Sequence, residues 1–216
     1  EFDKKVHVVA NEQDGYFQVV FKAIELIDPW FEGKQYHLSM GMVNLIGRKI
    51  SSRTGIIITV DGLLDEVKEL LRPLMKEVNE EVLEAVTIGA VKYSVLKTHP
   101  TANVLFDIKQ SVALQGNSGP YLQYTYARTQ SVLAKSTSPL PPSPKLRRGT
   151  EGEVNSEELS ILRHIYKFPE VVEEAAGRYA PNLLCNFIYE LAQRYNTFYN
   201  MHSILGNEFR LTLTKS

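Results

Sequence analysis

A short polar loop that follows Gly47 is the first place in this sequence where chemistry can be expected. The segment Lys49-Ile50-Ser51-Ser52-Arg53-Thr54-Gly55 holds two cations and three hydroxyl groups. Lysine and arginine neutralise phosphate charge, and hydroxyls and loop amides donate hydrogen bonds, so this composition suits a polyphosphate. The loop is not a Walker loop, because Gly-x-x-x-x-Gly-Lys-Ser/Thr is absent. A solvated basic loop is the alternative.

A second candidate is the aromatic segment that runs from Tyr121 to Arg128. On a helix, four of its polar side chains would share one face: Tyr121, Tyr124, Thr125 and Arg128. Tyrosine rings and an arginine can stack the splayed bases of RNA. The alternative is a packed aromatic helix with one polar edge.

Neither metal chemistry nor acid–base chemistry is indicated. The five histidines lack metal-ligand spacing, and the one cysteine, Cys185, lies in an apolar helical stripe. There is no Gly-x-Ser-x-Gly element and no carboxylate pair that stands out from solvated helical acids. An enzyme with this sequence would work by positioning and charge stabilisation, as phosphoryl and adenylyl transfer do.

The composition is that of an ordinary globular protein with one or two domains. The 216 residues are 44% apolar and 23% charged, with a net charge of −1. This balance excludes a globally basic nucleic-acid binder, but not a local basic face. A single cysteine and the lack of a signal peptide favour a reducing compartment. No uncharged apolar stretch approaches 18 residues, so we expect no membrane span.

The order of the elements predicts a mainly α fold with a small α/β part. A buried strand at 6–10 is followed by a helix over 16–27, and 35–60 is rich in strand formers. Asp61 is expected to cap the next helix. Helices are predicted at 82–97, 121–134, 156–166, 169–179 and from Pro181 onward, with a proline-rich linker at 135–150. The opening strand fits either a compact α+β domain or a chain that begins inside a larger one.

The motifs and their order resemble one family. Residues 49–53 resemble the "KMSKS" loop of class I aminoacyl-tRNA synthetases, in the form seen in arginyl-tRNA synthetases. Residues 115–128 resemble that family's "EGNTAPYxQYAxxR" stretch, with Gln115 in place of the usual acid. Residues 61–66, 89–93 and 106–107 also resemble the family, in family order. The "HIGH" element is absent, so the resemblance implies a C-terminal fragment.

The resemblance implies a division of the chain into three parts. Residues 1–72 would be the end of a Rossmann catalytic domain, which makes the strand at 6–10 a late strand of its sheet. Residues 73–116 would be a helical connector. Residues 117–216 would be a helical-bundle anticodon-binding domain that ends early in its final helix.

Site residues also follow from the resemblance only. Four residues of the loop would stabilise the pyrophosphate: Lys49, Ser51, Ser52 and Arg53. The arginine pocket would include Gln13 and Tyr16. Backbone contacts to the adenine of ATP would come from Gly41, Met42 and Val43, and Lys49 would also contact ATP. The residues expected to contact tRNA are Tyr121, Tyr124 and Arg128. Three further arginines could meet phosphates: Arg163, Arg178 and Arg194.

The implied parent is a cytoplasmic, monomeric arginine–tRNA ligase. It would use ATP with Mg²⁺ to form arginyl-adenylate and pass arginine to tRNA(Arg). We expect this chain alone to be inactive, because half of the nucleotide site is missing from it. Two alternatives stay open: a stand-alone helical tRNA-binding module without catalysis, and a nucleotide-binding domain unrelated to tRNA whose loop matches by chance.

Overall fold

A computed structural model of the chain describes residues 2–47, 59–137, 154–205 and 207–215. The loop residues Lys49, Ser51, Ser52 and Arg53 lie outside these ranges. So do residues 56–58 of the predicted strand and most of the proline-rich segment. The predictions made for these residues therefore stay predictions.

The first described elements form a parallel βαβ unit, which we call the α/β part (residues 2–42). Strand β1 spans Lys5–Ala10, helix α1 spans Asp14–Ile27, and strand β2 spans Gln35–Met40. The two strands pair in parallel from Lys5 opposite Gln35 to Ala10 opposite Met40. The predicted strand and helix are confirmed, and the helix begins two residues earlier than expected. Because the strands are parallel, their carboxyl ends meet at one edge of the sheet.

A second parallel pair follows after a crossover. Strand β3 (Val43–Leu45) pairs with β4 (Val104–Phe106), and between them run helices α2 (Val60–Leu71) and α3 (Glu80–Leu96). Buried apolar side chains join α2 to α3 and to the strands: Val67, Leu71, Leu83, Ala90, Leu45, Val104 and Phe106. Helix α2 ends at Leu71, and Pro73 lies in the 3-10 turn at Arg72–Leu74 that follows, as expected for a residue that cannot donate a helical hydrogen bond.

The expected cap of α2 was wrong. Thr59, not Asp61, is the N-cap residue, and its hydroxyl accepts the N–H of Gly62 at 3.0 Å. Val60, predicted as strand, is the first helical residue. Asp61 lies instead in the first turn, where a carboxylate still interacts favourably with the helix dipole.

The rest of the described chain is helical, and we call residues 119–215 the helical part. Its elements follow a short helix α4 (Ile108–Ser111) and are, in order, α5 (Gly119–Thr137), α6 (Ser156–Tyr166), α7 (Phe168–Gly177), α8 (Pro181–Met201) and α9 (Glu208–Lys215). The predicted bounds of α6 are confirmed at both ends, and a capping box of Asn155 and Glu158 starts it. The core of the helical part is a cluster of buried side chains from α5, α6, α8, α9 and the segment between the last two: Val132, Ile161, Tyr195, Phe198, Ile204 and Leu213.

Helices α3 and α5 approach each other through glycines. A methyl group built on Gly119 would lie 2.5 Å from the carbonyl oxygen of Gly89. A methyl group on Gly89 would lie 2.7 Å from Nε2 of Gln123, which itself donates to the carbonyl of Ala85 at 3.3 Å. Gly89 and Gly119 therefore permit the close contact of the two helices.

We predict that Gly119→Ala destabilises the chain by about 2 kcal/mol, because the new methyl group would meet rigid backbone and force the helices apart. Urea unfolding followed by ellipticity at 222 nm measures this. Gly15→Ala is the matched control. It lies in α1 with no atom near the new methyl group, and should be neutral or stabilise by about 0.5 kcal/mol. Equal midpoints for Gly119→Ala and the unchanged chain would contradict the close contact.

Candidate functional site

The carboxyl ends of β1 and β2 bring two sets of predicted site residues to one edge. Gln13 ends the 3-10 turn at Asn11–Gln13 that follows β1 directly. Tyr16 lies in the first turn of α1, is 61% exposed, and contacts the ring of Phe17 edge-on at 5.5 Å. Both side chains face solvent, and Gly41 begins just after the partner strand ends. Ligands of open α/β sheets bind at this kind of edge.

His37 contacts the two segments that flank Gln13, and these contacts were not predicted from the sequence. Its Nδ1 lies 3.2 Å from Oδ1 of Asp14, and its Nε2 lies 3.1 Å from the carbonyl oxygen of Val9. The imidazole also stacks on Phe17 with ring centroids 4.4 Å apart. A neutral imidazole donates to one of these acceptors, and a protonated one donates to both. His37 therefore holds the end of β1 and the start of α1 on either side of Gln13.

The backbone of Gly41 and Met42 is already engaged within the chain. The N–H of Gly41 donates to the carbonyl of Pro100 at 2.7 Å, and the N–H of Met42 donates to Oδ1 of Asn103 at 2.8 Å. A methyl group on Gly41 would lie 2.1 Å from the carbonyl oxygen of Ala102, so only glycine fits here. Of the predicted adenine contacts, neither of these two N–H groups is free.

Val43 differs from its two neighbours. The carbonyl of Met42 accepts from the N–H of Val104 at 2.9 Å, and the N–H of Ile46 donates to the carbonyl of Phe106 at 3.0 Å. Alternate residues of a parallel strand bond to the same neighbour. Val43 therefore directs its own N–H and carbonyl to the opposite edge of β3, away from β4.

On the helical part, the predicted tRNA residues pack against α8 through hydrogen bonds. Nδ2 of Asn196 donates to the hydroxyl oxygens of Tyr121 and Thr125, both at 2.9 Å. Its Oδ1 accepts from Nη1 of Arg128 at 2.5 Å. The shared face of α5 is confirmed, since three of its side chains meet one residue. The contacts of Asn196 were not predicted from the sequence, because Asn196 lies outside the apolar stripe of α8.

Arg128 lies between two tyrosine rings. Its guanidinium carbon is 4.8 Å from the ring centroid of Tyr124 and 4.6 Å from that of Tyr199. Its Nη2 donates to the hydroxyl of Tyr124 at 2.9 Å. We call these residues the stacking cluster: Tyr121, Tyr124, Thr125, Arg128, Asn196 and Tyr199. Tyr124 is 49% exposed and Tyr199 37%, so each offers ring surface to a ligand.

The family-like segment before α5 is structural. The hydroxyl of Tyr93 on α3 donates to Oδ1 of Asn117 and, at 3.3 Å, to the carbonyl of Cys185 on α8. Lys97 donates to the carbonyl of Asn117 at 2.8 Å. Burial raises the pKa of the Tyr93 hydroxyl and that of the Cys185 thiol, and it lowers the pKa of Lys97. Burial thus disfavours the charged form of all three groups, and their contacts join three segments of the chain.

Two of the three remaining candidate arginines have partners within the chain. Arg178 pairs with Glu174 at 2.8 Å, and Arg194 donates to the hydroxyl of Ser160. Arg163 is exposed on α6.

Over the described ranges, no group of three or more His, Cys, Asp or Glu side chains is placed to hold a metal ion. Among the helices that the structure describes, none has both the length and the apolar character needed to cross a bilayer.

Two family models match the chain in succession. Residues 1–108 match "tRNA synthetases class I (R), catalytic domain", and residues 122–215 match "DALR anticodon binding domain". The first covers half of the chain, which has 216 residues. A small part of a Rossmann catalytic domain followed by a helical anticodon-binding domain is thus the architecture of this chain, as predicted.

Curated relatives agree with these matches. The chain is 34% identical to "Arginine--tRNA ligase" from Flavobacterium psychrophilum, with 97% of this chain and 37% of the relative covered. It is 35% identical to the protein of the same name from Bacteroides thetaiotaomicron, with 98% and 38% covered. The chain therefore spans about two fifths of the length of the curated relatives that it matches.

Solved structures extend the likeness to the fold. "Thermus thermophilus arginyl-tRNA synthetase" matches 99% of this chain and 38% of its own, with a TM-score of 0.82 and 27% identity. "Arginyl-tRNA synthetase from Plasmodium falciparum" matches 98% and 37% with a TM-score of 0.74, and at 22% identity it speaks for the fold alone. The motifs, both domain matches and the relatives lead to one conclusion: this chain belongs to the arginyl-tRNA synthetase family of class I tRNA synthetases.

Proposed function

We propose that this chain is part of a cytoplasmic arginine–tRNA ligase. The whole enzyme takes arginine, ATP with Mg²⁺ and tRNA(Arg) as substrates. The observation that carries this proposal is the succession of a class I catalytic match and an anticodon-binding match along one chain. A carboxylate oxygen of arginine attacks the α-phosphorus, pyrophosphate leaves, and a hydroxyl at the tRNA 3′ end then takes the arginyl group and releases AMP.

In the first step, this chain supplies positions at the carboxyl edge of β1 and β2. Gln13 follows β1 on a turn that His37 holds from both sides, and its amide oxygen can accept from a guanidinium group. Tyr16 presents an exposed ring beside it. Of the three candidate adenine contacts, Val43 is the one whose backbone groups face away from the neighbouring strand, so we assign the backbone contact with the base to Val43.

The loop that follows β3 supplies charge. Lys49 and Arg53 bear positive charge, and the hydroxyls of Ser51 and Ser52 donate hydrogen bonds. As arginine attacks, negative charge builds up on the departing pyrophosphate. Groups of this kind stabilise such charge best when they are positioned beforehand in a site that excludes water. Catalysis in this proposal rests on charge and position, and no residue of the chain acts as general base.

The stacking cluster is the proposed contact to tRNA. Tyr124 and Tyr199 expose ring surface, and Arg128 places a cation between them. Stacking on an aromatic ring binds an unpaired base whatever its identity, and a nearby guanidinium strengthens such contacts. Since Asn196 and Tyr124 already accept from Arg128, this arginine orients the rings and adds positive charge without itself being free to clasp a phosphate.

We predict that Tyr124→Ala weakens binding of the chain to tRNA(Arg) about tenfold, because one stacked base loses its platform. Fluorescence anisotropy with end-labelled tRNA(Arg) at several salt concentrations measures the dissociation constant. Tyr126→Ala is the matched control. It lies on the same helix and is 66% exposed, but it is outside the stacking cluster, so its affinity should stay within twofold.

The salt series separates two forms of binding. If Tyr124→Ala removes only a stacking contact, the dependence of its tRNA affinity on salt concentration should equal that of the unchanged chain. Loss of a phosphate contact would make that dependence less steep. Because stacking accepts any base, Tyr124→Ala should weaken binding of a tRNA(Arg) with a replaced anticodon by about the same factor as binding of the unchanged tRNA(Arg). Equal loss in Tyr124→Ala and Tyr126→Ala would contradict the assignment of the cluster.

We predict that these 216 residues alone do not arginylate tRNA. The sequence contains no "HIGH" element, and that element supplies the other half of the nucleotide site in the family. The measurement is incorporation of radiolabelled arginine into tRNA(Arg) with ATP and Mg²⁺. Incorporation above a blank without enzyme would contradict the prediction. Tight tRNA binding without arginylation is also what a stand-alone binding module would give, so a second test is needed.

That test places the chain in a complete enzyme. In the Flavobacterium psychrophilum ligase, the matching 37% can be replaced by this chain. If the chimera is active, Lys49→Ala should lower kcat about 100-fold or more, because a charge-stabilising group is lost. Lys22→Ala is the control, since Lys22 lies on the exposed side of α1 and pairs with Glu25 at 3.3 Å. Equal kcat for Lys49→Ala and Lys22→Ala would contradict the role proposed for Lys49. An active chimera that depends on Lys49 is not expected of a binding module.

A further inference from the structure

Tyr179 occupies a backbone position that usually belongs to glycine. Its φ is +51°. Among the residues that the structure describes, no other non-glycine residue has a positive φ. Helix α7 has just ended at Gly177. The N–H of Ala180 bonds to the carbonyl of Ala175 at 2.9 Å, and the N–H of Tyr179 bonds to that of Ala176 at 3.3 Å. This is a Schellman motif, whose left-handed residue is favoured as glycine because it has no Cβ.

The side chain of Tyr179 reaches the α/β part. Its ring stacks on that of Tyr36 with centroids 5.1 Å apart and an interplanar angle of 27°. Nζ of Lys4 lies 4.6 Å from the centroid of the Tyr36 ring and 5.3 Å from that of Tyr179. Stacked rings and a cation over them attract each other beyond the area that they bury. The contact joins the start of β1 and the start of β2 to the turn between α7 and α8.

The position of this contact gives it a consequence. Helix α8 begins at Pro181, two residues after Tyr179, and it carries Asn196 and Tyr199 of the stacking cluster. Whatever fixes the amino end of α8 against β1 and β2 also fixes where the cluster lies relative to the carboxyl edge of those strands. A glycine at 179 would relieve the backbone and lose the ring.

We propose that Tyr179 is a positioning residue that docks the helical part onto the α/β part. The ring contact with Tyr36 and Lys4 compensates for the unfavourable backbone. This docking does not depend on what the chain binds. Only its consequence for tRNA rests on the proposed function, since it would keep the stacking cluster at a set distance from the nucleotide edge.

Two optical probes can test the docking in the 216-residue chain. Trp30 is the sole tryptophan of the sequence and lies in the α/β part, so its fluorescence reports on that part. Most helical residues lie elsewhere, so ellipticity at 222 nm reports mainly on the rest. For Tyr179→Gly we expect the Trp30 midpoint in urea to fall by about 0.5 M, because an aromatic and cation contact is lost. The ellipticity midpoint should stay or rise, because the backbone is relieved.

Three further variants complete the test. Tyr179→Phe keeps the ring and should restore the Trp30 midpoint, and Tyr166→Ala, an 82% exposed tyrosine outside the contact, should leave both midpoints unchanged. Tyr36→Ala should lower the Trp30 midpoint in the unchanged chain and add little in Tyr179→Gly, as residues in one contact are not additive. An unchanged Trp30 midpoint in Tyr179→Gly, or an equal fall of both midpoints, would overturn the proposal.

Discussion

The structure depends on the backbone contact between α3 and α5. At Gly89 and Gly119 the helices come so close that a single methyl group would collide with a carbonyl oxygen. Helix α3 also packs on α2 below and reaches α8 through the hydroxyl of Tyr93. Helix α3 therefore contacts both α2, which precedes it, and the helical part, which follows it. Because backbone cannot rotate away as a side chain can, this contact sets the axis of α5 within narrow limits.

The axis of α5 in turn decides whether the stacking cluster can form. Asn196 forms hydrogen bonds with Tyr121, Thr125 and Arg128 at once, and these three follow one another along α5 at intervals of four and three residues. A shift of α5 along α8 would break all three hydrogen bonds together. Half-buried polar groups that lose their partners destabilise the fold. The hydrogen bonds that join α5 to α8 therefore also fix the orientation of the tyrosine rings. A surface prepared in this way loses less conformational entropy when a base binds.

Local chemistry made some of the fold predictable, and non-local contacts hid the rest. Helix α6 was predicted from the local residues at its start, Ser156, Glu157 and Glu158, and the structure begins it at Ser156. Thr59 and Asp61 are both able to cap, and sequence alone did not distinguish them. Which strand pairs with β1, which carbonyl meets Gly41 and which residue of α8 meets Arg128 all depend on segments 30 to 68 residues away. No periodicity encodes such pairs, and the resemblance named the α5 residues but not Asn196.

The strand end at Gly41 shows how such a non-local contact narrows a functional assignment. Gly41 is glycine because the carbonyl of Ala102 fills the space of a side chain, and Pro100 and Asn103 take the N–H groups of Gly41 and Met42. Both N–H groups of this turn therefore already donate to the segment between α3 and β4. A base that approached Gly41 or Met42 would have to break a bond to gain one. At Val43 the strand alternation turns the backbone outward, so a base can be met there without that loss.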